Sequence, residues 1–171
     1  MRLIVSDGGC LIDLAKASLL DAFVKLPYRI LIPNTLFEDE LLKLTNAQKK
    51  ALVRGGLKVI DLPGERVLRA QRVVRGTPQL SVHEGFAFAL AETYAGCILL
   101  SGRGPLSTFA TSHHMKVHGV LWVVDKIHSN NLGTAASLHA ALLLLANNPG
   151  VRLPRRKLTA SINKYNGLRC P

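Results

Sequence analysis

The chain has 171 residues, 48% of them apolar, and its 22 Lys and Arg against 11 Asp and Glu give a formal charge of +11. That length and apolar share suit one compact core, and the positive field favours polyanions, nucleic acid first and an acidic protein partner second. Three cysteines (Cys10, Cys97 and Cys170) without CxxC spacing argue against a disulfide framework or zinc site. Asp7 and Asp13 interrupt any signal-peptide pattern, and the run Ala140 to Ala146 is too short to span a bilayer, so a cytoplasmic protein without membrane contact is expected.

Short β-type runs alternate with helical patterns, the signature of an α/β layer fold with a mainly parallel sheet of four or five strands. Strands are expected at Arg2 to Ser6, Arg29 to Ile32, Lys58 to Asp61, Cys97 to Ser101 and Lys116 to His118. Between the first two, LIDLAKASLLDAFVKL reads as helical material, with Leu11, Leu14, Leu19, Leu20 and Phe23 near helical spacing. Pro33 opens a helix through Leu44, and Thr45 with Gln48 forms a capping box for the next helix.

The stretch GERVLRAQRVVRG then carries Arg66, Arg69, Arg72 and Arg75 at three-residue steps, a spacing that forms one positive helical face for RNA. Ser81 to Glu92 is a strong helix leading into the strand CILLS, and Pro105 sits well at a first helical position. The last third is more helical, with segments at VLWVVDKIHSNN, TAASLHAALLLLANN and RRKLTASINKY. Arg155 and Arg156 add a second basic cluster, and the excess of leucine around Leu142 to Leu145 marks core or a subunit contact. One domain over residues 1–165 with a frayed tail at 166–171 is the expected organisation.

Acids from distant stretches converge in such a fold. The carboxyl ends of parallel strands form the ligand crevice, and Mg²⁺-assisted phosphodiester hydrolysis needs hard oxygen ligands that leave positions for water and phosphate. Asp7, directly after an apolar strand, is the leading candidate, with an N-cap role as its structural alternative. Glu84 and Glu38 also have capping-box alternatives, with Ser81 and Thr35 respectively. His113, His114 and His118 lack cysteine or acid partners at zinc-site spacing and read as solvated or capping residues.

In order and spacing, LIVSD..CLIDL, PNTLFEDELL, LSVHEGFAFALAE and ILLSGRGPL resemble the PIN-domain ribonuclease family, especially its small prokaryotic VapC-like toxins. The resemblance implies a three-layer α/β/α fold and Mg²⁺- or Mn²⁺-dependent endoribonuclease chemistry. It further implies a toxin role with an antitoxin-like partner, and homodimerisation. Matched position by position, it assigns catalysis and metal binding to Asp7, Glu38 and Glu84, with Glu40 as the alternative second acid.

Two departures stand out. Gly8 and Gly9 replace the family's small hydroxyl residues after the first Asp, and Arg103 stands where the resemblance implies a fourth acid. An arginine held about 5 Å from Mg²⁺ would repel it by roughly 6 to 7 kcal/mol at an effective dielectric near 20, an upper-end figure. The alternative function is therefore a catalytically inactive PIN-fold module that binds RNA or protein.

Overall fold

The computed structural model describes residues 1–102 and 104–169. Five parallel strands, β1 (Arg2–Ser6), β2 (Tyr28–Pro33), β3 (Lys58–Ile60), β4 (Ile98–Leu100) and β5 (Lys116–His118), form one sheet in the order β3-β2-β1-β4-β5. Its centre is made of apolar runs, Ile4 and Val5 on β1, Ile30 to Ile32 on β2 and Ile98 to Leu100 on β4, all buried. Strands covered on both faces read in this way because neither side meets water. The expected strands all form, each within a residue or two of its anticipated ends.

Two helices, α1 (Gly8–Lys16) and α2 (Leu20–Val24), connect β1 to β2, and α3 (Asn46–Arg54) precedes β3. The next connection holds α4 (Gly64–Gly76) and α5 (Val82–Glu92), and α6 (Pro105–Ser112) joins β4 to β5. Then come α7 (Val120–Ser129), α8 (Ala135–Ala146) and α9 (Arg155–Arg169). Contacts link α1, α2, α3, α7 and α8 into one layer and α4, α5 and α6 into another, with α5 lying against β1, β2 and β4. A three-layer α/β/α arrangement results, as the sequence pattern implies.

Three local expectations change. The helical material anticipated from Leu11 to Leu26 breaks where Ser18 adopts φ 57°, and the Leu19 amide turns back to the Leu14 carbonyl at 2.8 Å. Pro33 ends β2 instead of opening a helix; the chain passes into a π-helical turn (Leu36–Glu40) and a 3₁₀ turn (Leu41–Lys43). Where a frayed tail was expected from residue 166, α9 continues through Arg169. The capping boxes at Thr45/Gln48 and Ser81/Glu84 both form. None forms at Thr35, whose Oγ1 is buried without a hydrogen-bond partner among the described residues.

Candidate active site

Strands β2 and β3 lie on one side of β1, and β4 and β5 on the other. The chain reverses its direction of sheet growth between β1 and β4, and ligands of open α/β sheets bind at that switch point, beyond the carboxyl ends of the strands. Asp7 follows β1 there, its amide bonded to the Leu100 carbonyl of β4 at 2.9 Å.

Asp7 is the N-cap of α1, its Oδ1 accepting from the Cys10 amide at 2.8 Å. Burial raises its carboxyl above the ordinary range; the Cys10 amide and the Ser101 hydroxyl act against that rise, and the charge of Glu84 adds to it. The N-cap and the leading candidate acid are thus one side chain.

Of the two candidates for the second acid, Glu40 reaches this place. Its carboxylate lies so close over Gly8 that a Cβ there would collide with it, and the nearby Gly8 amide favours its ionised form. Burial raises the Glu40 carboxyl, His83 lowers it, and the charges of Asp7 and Glu84 raise it further. The preferred Glu38 is instead exposed. Both acids stand on one π-helical turn (Leu36–Glu40), and this turn carries Glu40, the alternative second acid, toward Gly8 while Glu38 faces solvent. Gly8, which departs from the family pattern, makes room for this approach.

Glu84 stands on the first turn of α5, and its charge is felt at both Asp7 and Glu40. Its Oε2 accepts from the Ser81 amide at 2.8 Å, closing the capping box. Beside it, His83 has Nε2 3.2 Å from Asp39 Oδ2 and Nδ1 3.6 Å from Glu40 Oε1. Arg103, at the fourth position, lies outside the described residues.

Among the described residues, no group of three or more His, Cys, Asp or Glu is arranged to hold a metal ion. Magnesium, however, is commonly held by one or two carboxylates and completed by water and substrate phosphate. Asp7 and Glu40 fit that pattern: hard oxygen donors at the first turn of α1, raised chiefly by burial and further by neighbouring negative charge. Cys10, though adjacent, is a fully buried thiol pushed well above its ordinary value by burial, which leaves it inert.

The arginine candidates divide. Arg69 grips Glu92 of α5 with Nε at 2.9 Å and Nη2 at 2.8 Å, and Arg66 joins at 3.2 Å. These two clamp α4 onto α5, where Gly85 allows close approach of the helices. Arg72 and Arg75 on α4, and Arg155 and Arg156 at the start of α9, are exposed. Sequence reasoning missed His83 and Ser101, although both lie within quoted motifs; a hydroxyl at a strand tip and an imidazole preceding a candidate acid were the available signals.

A family model described as a PIN domain matches residues 3–166. No curated protein matches the chain.

Proposed function

The chain belongs to the PIN-domain family, whose members are generally nucleases, and from that membership we propose that it is a metal-dependent endoribonuclease acting through Asp7, Glu40 and Glu84. The observation that carries the reading is the pair of carboxylates, Asp7 and Glu40, brought to the first turn of α1 from separate connections and both held above their ordinary range.

Asp7 and Glu40 would hold Mg²⁺ or Mn²⁺, with Glu84 the third acid facing them. Such a cation supplies charge stabilisation at phosphorus and a water of lowered pKa. Asp7 is oriented by the Cys10 amide, and the nearby Ser101 hydroxyl and Gly8 amide favour the ionised forms of Asp7 and Glu40 respectively. His83 favours the ionised form of Glu40, the form that binds a cation or accepts a proton from attacking water. Attack in line with the leaving 3′ oxygen would then cleave the strand, with Arg72, Arg75, Arg155 and Arg156 available to flanking phosphates.

The toxin role, an antitoxin-like partner and a homodimer belong to the same proposal, supported by the motif resemblance and by exposed Leu143 and Leu144 on α8 and Leu168 on α9. A cytoplasmic location is supported by the free thiols of Cys10 and Cys97, and no helix among the described residues is long and apolar enough to cross a membrane. One observation favours a second reading, an RNA- or protein-binding PIN fold without cleavage: Arg103 replaces the expected fourth acid.

The test is cleavage of single-stranded RNA with Mn²⁺ and with EDTA. EDTA-sensitive cleavage lost in Asp7→Asn supports the enzyme; metal-independent RNA affinity without cleavage supports the binding module.

A further inference from the structure

A cleft of ≈ 960 Å³ opens beyond β4 and β5, between α6, α7 and the start of α9. Its volume lies at the upper end of small-ligand sites, about 300–1,000 Å³. Ser101 belongs both to its wall and to the surroundings of Asp7, so the cleft adjoins the acidic pair.

The chemistry of its walls is specific. His118 and Trp122 stack with centroids 4.5 Å apart and planes 7° from parallel, and both line the cleft. In the same cleft, α6 presents Thr108, Thr111 and Ser112, whose hydroxyls donate to the carbonyls of Gly104, Ser107 and Phe109 at 3.2, 2.7 and 2.6 Å. With their protons so engaged, these oxygens offer lone pairs and suit donors such as base amino groups and ribose hydroxyls. Lys157 supplies a cation at the rim. Burial, Lys126 and Lys116 lower the His118 imidazole below its ordinary value, keeping it neutral at pH 7, and a neutral ring can continue a stack.

We propose that this cleft is a nucleotide subsite for single-stranded RNA, where a base extends the His118–Trp122 stack, α6 takes up base or sugar donors and Lys157 meets a phosphate. Stacking on aromatic side chains is how proteins hold unpaired bases without reading sequence. The inference deepens the proposed function by placing the strand beside Asp7, and it rests on the reading that RNA is the substrate.

Trp122 is the chain's single tryptophan, so its fluorescence reports this site alone. The protein is titrated in EDTA with adenosine monophosphate, a six-nucleotide single-stranded RNA and inorganic phosphate. Saturable quenching by the first two is expected, with Kd raised about fivefold or more in His118→Ala and in Lys157→Ala. No quenching by nucleotides, quenching by phosphate alone to the same extent, or unchanged Kd in both variants would overturn the proposal. Asp7→Asn separates the two readings. It should quench as wild type does, so quenching by a wild-type protein that never cleaves leaves the subsite standing and removes the nuclease, whereas cleavage without quenching removes only the subsite.

Discussion

His83 Nδ1 stands 3.6 Å from Glu40 Oε1, while the other oxygen, Oε2, is the one that lies against Gly8. An α5 residue outside the candidate acids thereby influences the charge of a candidate acid carried by a different connection. Its attraction opposes the burial that raises the Glu40 carboxyl. In His83→Ala the Glu40 carboxyl moves further up, so the acidic limb of the pH–rate profile for RNA cleavage moves to higher pH. An unmoved limb would show that His83 serves only as an anchor for Asp39.

Asp7 and Glu40 should lower stability near neutral pH. Each has a native-state pKa above its unfolded value, so the native form binds more protons in that interval. Their contribution is fully present below the ordinary carboxylate range and is lost as pH rises through the raised native values. Asp7→Asn keeps an N-cap side chain, and Glu40→Gln keeps the size and shape of the side chain over Gly8. Both are expected to raise the melting temperature at pH 7 but not at pH 3. A gain near 1 kcal/mol would appear as roughly 2–4 °C for a chain of this size.

The Arg69–Glu92 contact makes the opposite prediction. Arg69 bonds both oxygens of Glu92 and holds that carboxyl below its ordinary value. Its stabilisation is present above the unfolded carboxylate pKa and lost as pH falls through the depressed native one. Arg69→Ala should cost about 1 kcal/mol or less at pH 7, the scale of a partly exposed pair, by denaturant titration. Arg72→Ala and Arg75→Ala should leave stability within about 0.5 kcal/mol and reduce the salt dependence of RNA binding.

Gly8 tests the approach of Glu40 without altering an acid. A Cβ at this position collides with the Glu40 carboxylate, so Gly8→Ala must displace it. Cleavage should fall at least tenfold, and the double variant with Glu40→Gln should lose little more than Glu40→Gln alone, the non-additivity expected of residues acting through one contact. Additive losses measured in the double variant would separate the two.

The strands were legible because a sheet buried on both faces leaves unbroken apolar runs such as LIV and ILL, and Asp7 was legible because the first such run ends on it. Glu40 was legible only as the alternative to Glu38, since matching TLFE to a family motif does not fix which acid of the π-helical turn from Leu36 to Glu40 faces Gly8. Nor does ASLL advertise the break at Ser18, which arises from a left-handed backbone at a residue that gives no glycine or proline warning. The arginine ladder on α4 was correctly seen as periodic, but periodicity does not say which rungs face a neighbouring helix. Glu92 decides that, by taking Arg66 and Arg69. The His118–Trp122 stack joins a strand end to the helix after it, across a change of backbone conformation that no single period describes.

The central claim, that Asp7 and Glu40 form the working site of an RNA-cleaving PIN domain, is tested most directly by Mn²⁺-dependent cleavage of single-stranded RNA in wild type, Glu40→Gln and Glu38→Gln. Cleavage by wild type, a loss of about a hundredfold or more in Glu40→Gln and little change in Glu38→Gln are expected. No cleavage by wild type, or loss in Glu38→Gln with Glu40→Gln intact, would contradict the account.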